Sequence, residues 1–118
     1  MTIKECYSRL RGDYTEAKTR LMNDKLIERF ILKFPDDPSM ATLQEMIQAG
    51  DIAASFRAVH TLKGVAANLA FTQLFRDASN LTEQLRPLQS PADPELFSAL
   101  QSTYNMVISV LKEYEASK

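Results

Sequence analysis

Apolar residues recur along the chain at steps of three and four, and no stretch sustains an alternation of two, so helices are predicted almost throughout. Thr2 and Glu5 have the spacing of a capping box ahead of a short helix that Gly12 would end. Asp13 and Glu16 repeat the signal, with Tyr14, Ala17 and Leu21 on one face. A third helix, from about Asp24 to Phe34, aligns Leu26, Phe30 and Phe34 at four-residue steps. Phe34-Pro35-Asp36-Asp37-Pro38 must break it, because proline disfavours helical geometry just upstream. Asp37 can then cap a helix with Pro38 at its first position, presenting Leu43, Met46 and Ile47 and stopping near Gly50.

Asp51 is expected to cap the next helix, which runs to about Ala70 and turns Ile52, Phe56, Val59, Ala66 and Leu69 or Ala70 to the interior. Thr72 starts another, with Leu74, Ala78, Leu81 and Leu85 in register until Pro87. A loop follows to Asp93, which caps a last helix marked by Leu96, Leu100, Tyr104, Val107, Leu111 and Tyr114. Short connections favour antiparallel neighbours, so the pattern predicts an all-α, antiparallel four-helix bundle with additional short N-terminal helices, one domain over residues 1–118.

Composition narrows the function without naming it. The 14 basic and 15 acidic residues nearly cancel, whereas nucleic acid selects a basic face; no nucleic-acid partner is expected. No apolar run is long enough to span a membrane, and the N-terminus lacks the basic-then-apolar order of a signal peptide, so a cytoplasmic protein without a membrane partner is expected. Cys6 is the sole cysteine and His60 the sole histidine, so neither a disulfide framework nor a zinc site of several His or Cys ligands is available, and no metal site is expected.

His60 lies midway along its helix, in Val59-His60-Thr61-Leu62-Lys63-Gly64. Steps of 100° per residue are read as placing it away from Phe56, Val59 and Leu69, on a face with Ala53, Arg57, Gly64 and Ala67 and with Lys63 alongside. A lone histidine on a helix is most often an ordinary surface residue, a lysine a solvated charge, and a helical glycine a packing contact. Their combination is more specific. Glycine inside a helix costs roughly 1 kcal/mol relative to alanine, and at Gly64 it would open the approach to the imidazole. Lys63 at the i+3 position can reach a phosphoryl group carried on His60.

His60-Thr61-Leu62-Lys63-Gly64, followed by Ala66, Asn68 and Leu69, resembles the signature of the histidine phosphotransfer (HPt) domains of bacterial two-component multistep phosphorelays. Ala49-Gly50-Asp51, Leu21-Met22-Asn23-Asp24 and the Phe30/Phe34 helix resemble that family too. Ala70 departs from the glycine usual there, which bears on the turn after the histidine helix. The resemblance implies a phosphocarrier without ATP-dependent kinase activity. His60 would take a phosphoryl group from a receiver-domain aspartyl phosphate and give it to another receiver aspartate. Lys63 would stabilise charge and Gly64 would allow close approach. No P-loop occurs, so the chain shows no means of binding ATP. No cofactor is implied beyond a divalent metal supplied by the receiver.

The implied partners are response-regulator receiver domains and a hybrid sensor histidine kinase, engaged by a monomer. The expected docking patch comprises Ala53, Arg57, Thr61, Gly64, Ala67 and Asn68, extended by Phe71 or nearby apolar residues. In the family a polar residue from the following helix commonly faces the histidine; Thr82 falls at about that place, and Arg86 one turn on is a second candidate. Two other readings compete. A helical scaffold could bind receivers without carrying phosphate, but it has no need of a nucleophile beside a glycine. An enzyme could pair Cys6 with His60, but nothing near Cys6 suggests activation. Tyr104, Phe30 and the methionines read as core, and Asp36-Asp37 as a turn and cap.

Overall fold

The structure, a computed structural model, describes every residue from Met1 to Lys118. Seven α-helices follow in order: α1 (Ile3–Arg9), α2 (Tyr14–Leu21), α3 (Asp24–Lys33), α4 (Ser39–Gln48), α5 (Ile52–Asn68), α6 (Thr72–Leu85) and α7 (Pro94–Ala116). A single 3-10 turn, Phe34–Asp36, carries the proline that ends α3. Polar side chains set the starts. The Thr2 hydroxyl accepts from the Glu5 N–H at 3.0 Å while the Glu5 carboxylate accepts from the Thr2 N–H at 3.2 Å, which completes the capping box. Asp13, Asn23, Asp51 and Asp93 each accept a backbone N–H of the helix they precede. Asp37 accepts from Ser39 N–H at 2.9 Å, but Pro38 stands just ahead of α4 rather than at its first position.

The chain is all-α, and α4 to α7 form the antiparallel bundle: α4 packs on α5, α5 on α6, and α6 on α7. The connection between α5 and α6 is so short that α6 must run back along α5. The N-terminal helices cover the bundle, α1 and α3 against α7 and α2 against both. Twenty-five buried residues make one hydrophobic cluster. The predicted face of α6 is fully buried, at Leu74, Ala78, Leu81 and Leu85. Four rings line the seam between the N-terminal helices and the bundle: Phe71 lies 5.8 Å from Tyr7 and 5.3 Å from Phe34, and Phe34 lies 5.7 Å from Tyr104.

Three expectations are corrected. In α3 the buried side chains are Ile27 and Ile31, while Phe30 is 43% exposed, because the inward stripe sits one residue on from the four-residue ladder. Met22 is exposed as well, on a positive-φ turn, and is not core. Gly12 does not end α1 by a left-handed turn. That conformation falls to Arg11, and Gly12 is needed for space: a Cβ there would lie 2.8 Å from the Ala70 carbonyl oxygen and from Tyr7 Cδ2.

The ends of α4 and α5 share one geometry. After α4, Asp51 N–H donates to Met46 O and Gly50 N–H to Ile47 O, with Gly50 at φ 71°. After α5, Phe71 N–H donates to Ala66 O and Ala70 N–H to Ala67 O, with Ala70 at φ 56°. Alanine therefore makes the turn usually given to glycine, at a cost of roughly 1–2 kcal/mol. Contacts from the N-terminal segment hold it there. Asp13 N–H donates to Ala70 O at 2.9 Å, Gln73 N–H to Arg11 O at 3.1 Å, and the Tyr7 hydroxyl to Leu69 O at 2.7 Å.

Candidate functional site

The inner face of α5 runs through Ser55, Ala58, Val59, Leu62 and Ala66, all buried. His60 is on the opposite side and exposed, as are Arg57, Thr61, Gly64 and Asn68. Ala53, Lys63 and Ala67 are half-buried along the edges of that strip. All the residues expected on the histidine face therefore share one side of one helix. A Cβ built on Gly64 meets nothing within 4 Å, so no packing contact accounts for this glycine.

Phe56 is placed differently from the expectation. It is half-buried, and its ring stacks on the His60 imidazole with centroids 5.9 Å apart and planes inclined by 12°. Residues four apart in a helix are separated by only about 40° around the axis, so Phe56 flanks His60 rather than opposing it. The Arg86 guanidinium carbon lies 5.4 Å from the centroid of the same phenyl ring. Glu83 holds Arg86 through Nε at 3.0 Å and Nη2 at 2.7 Å. The Lys63 ammonium rests 5.9 Å from the Phe75 ring centroid.

Charge around the histidine is mainly positive. Arg86, then Lys63 and His60, hold the Glu83 carboxyl below the usual carboxylate range. Glu83 thus sits within electrostatic reach of the other three at the junction of α5 and α6. Thr82 does not join them. It is fully buried, and its hydroxyl donates to Ala78 O at 2.7 Å within its own helix. Arg86, the second α6 candidate, reaches the histidine side through Phe56. Spacing alone missed Phe56 and Glu83, although the i, i+4 relation of Phe56 to His60 and the i, i+3 relation of Glu83 to Arg86 were there to be read.

Phe71 does not extend the exposed patch; it is fully buried against Tyr7 of α1 and Phe34 of the 3-10 turn. Beside the patch lies instead a groove of about 640 Å³ lined by Leu21, Phe30, Phe34, Val65 and Leu69 on its apolar side and by Asn68 and the charged Arg20, Lys33, Asp36 and Asp37 on the other. No group of three or more His, Cys, Asp or Glu side chains gathers anywhere in the chain. Cys6 lies in the core, and burial pushes its thiol up to about 11, far from the activated state a nucleophile requires.

A model of the Hpt domain family matches residues 25–110, from α3 to the second half of α7. The chain belongs to the Hpt domain family. Membership implies a histidine phosphotransfer role in a phosphorelay, with receiver domains and kinases as the kind of protein met there. Hpt domains are phosphocarriers rather than kinases. In this Hpt domain, α1 and α2 precede the matched span, and the turn they clamp closes the helix that carries His60. No helix is long and apolar enough to cross a membrane. No curated protein and no solved structure matches the chain.

Proposed function

We propose that this Hpt domain accepts a phosphoryl group on His60 from the aspartyl phosphate of a receiver domain and passes it to an aspartate of another. The observation that carries the reading is Gly64. A mid-helix glycine costs roughly 1 kcal/mol, this one has no packing role, and the space it leaves is one turn from an exposed histidine. A receiver can then bring its carboxyl phosphate down to the imidazole without meeting a side chain.

In the transfer, the unprotonated nitrogen of a neutral imidazole attacks phosphorus in line with the bond to the aspartate oxygen. The N–P bond forms, the P–O bond breaks, and the aspartate leaves as a carboxylate. The reverse step on a second receiver returns the nitrogen lone pair. The transition state is dominated by charge on the phosphoryl oxygens, so positioning and cations do most of the catalysis. Lys63 supplies one cation from this chain, and a divalent metal comes with the receiver. Ala53, Arg57, Thr61, Ala67 and Asn68 form the receiver's seat around them, on a chain that acts as one monomeric unit.

The test is incubation with a radiolabelled, phosphorylated receiver domain, comparing this protein with its His60→Gln variant. Acid-labile, base-stable label is expected on the wild type alone, with the helical circular dichroism of the two proteins equal because His60 is outside the core. Label on the glutamine variant overturns the assignment of His60.

A further inference from the structure

The orientation of the imidazole has a physical origin that a hydrogen bond does not supply. The polar groups on its side are spent elsewhere: Thr61 donates to Arg57 O and Arg86 to Glu83, while Thr82 is buried and donates to Ala78 O. In a helix, χ1 of histidine is restricted by the preceding turn, but χ2 is broad and roughly two-fold. It is χ2 that decides where the ring nitrogens point. The aromatic ring that stacks on the imidazole is Phe56, its plane nearly parallel at 12°. Phe56 is itself tied to the neighbouring helix, since Arg86, the C-cap of α6, lies over its ring and Glu83 on α6 grips Arg86 with two hydrogen bonds.

We propose that Phe56 is a positioning residue for the phosphoryl-accepting imidazole, anchored across the α5–α6 junction by the Glu83–Arg86 pair. The proposal rests on the phosphocarrier reading of His60. Stacking holds the ring plane, and the ring plane aims the attacking lone pair along the axis of the P–O bond. The cost of losing it falls on the rate within the bound complex, not on docking, because Phe56 is half-buried beside the strip rather than at its centre.

The experiment compares Phe56→Leu, which keeps apolar bulk, with Phe56→Tyr, which keeps the ring. Transfer from a labelled receiver is followed over a range of receiver concentrations, and the His60 ring protons are observed by NMR. For Phe56→Leu the rate at saturating receiver is expected to fall about tenfold while the half-saturating concentration stays put. Phe56→Tyr is expected to keep the wild-type rate. The upfield ring-current shift of the His60 protons should vanish with leucine and persist with tyrosine. Arg86→Gln, a surface change that leaves the core intact, should weaken both the rate and the shift. Equal saturating rates for wild type and Phe56→Leu overturn the proposal, as does an equal fall for leucine and tyrosine. A wild type that takes no label from any receiver overturns the phosphocarrier reading itself, and that result is distinguishable because the ring-current shift would still report the stack.

Discussion

The Tyr7 hydroxyl donates to the backbone carbonyl of Leu69 at 2.7 Å, tying α1 to the end of the helix that carries His60. Leu69 is the C-cap of α5, and its carbonyl is one of the groups a helix end leaves without an intrahelical donor. The contact is buried, and burial drives the Tyr7 phenol above its ordinary pKa, so the hydroxyl stays protonated and donating. Tyr7→Phe strips the donor and keeps the ring against Phe71. It should lower stability by about 1–3 kcal/mol, the cost of a buried carbonyl left without a partner. Urea unfolding measures it; an unchanged midpoint would mean that water reaches Leu69 O.

On the other side of α1, Glu28 on α3 accepts from the Tyr114 hydroxyl at 3.0 Å and pairs with the Lys118 ammonium at 2.7 Å. Lys118, then Tyr114, hold its carboxyl below the ordinary 4.5. A depressed folded-state value means that the stabilisation is fully present above the unfolded value and is lost as pH falls through the folded one. Glu28→Gln should therefore cost at most about 1 kcal/mol at neutral pH, since the pair is partly exposed. The gap between variant and wild type should be constant down to about pH 5 and close below it. A gap that persists in strong acid would assign the effect to shape rather than charge.

Much of this was legible in the chain, for reasons that differ by element. Capping residues act locally, so Thr2, Asp13, Asp51 and Asp93 announced their helices in sequence. The α6 face was legible because its four apolar residues keep one spacing throughout. The α3 face was not, because Leu26, Ile27, Phe30 and Ile31 supply two overlapping stripes and only tertiary packing selects between them. Thr82 looked available from its position, yet a buried threonine on a helix satisfies its hydroxyl on the carbonyl four residues back. Gly12 and Ala70 were opaque for a related reason: each is explained by the other, across a contact between segments distant in sequence.

Lys63 is half-buried along the histidine strip, its ammonium beside the Phe75 ring. The aromatic contact limits the wandering of a long side chain and leaves the charge close to where phosphoryl oxygens would arrive. Lys63→Ala should slow transfer roughly ten- to hundredfold without abolishing it, less than the roughly hundred- to thousandfold loss of a donor in a water-excluded site because Lys63 is only half-buried. Single-turnover transfer from a phosphorylated receiver measures it. A rate equal to wild type would make Lys63 an ordinary surface charge.

Gly64 and Gly12 make opposite predictions under the same substitution. At Gly12 an added methyl would lie 2.8 Å from the Ala70 carbonyl oxygen, which cannot retreat without disturbing its bond to Asp13 N–H. Gly12→Ala should therefore destabilise by about 1–3 kcal/mol, as overpacking does. At Gly64 the methyl meets nothing, and the residue is in the middle of α5. Gly64→Ala should raise stability by roughly 1 kcal/mol through helix propensity alone. If the glycine is kept for a partner's approach to His60, that gain comes with slower transfer, and Gly64→Leu, with more bulk in the same space, should slow it far more. Denaturation and transfer rates measured on the same samples separate the two effects. A Gly64→Leu protein that transfers at the wild-type rate would show that the open space beside His60 is not where the receiver comes down, and the proposed docking face would have to be given up.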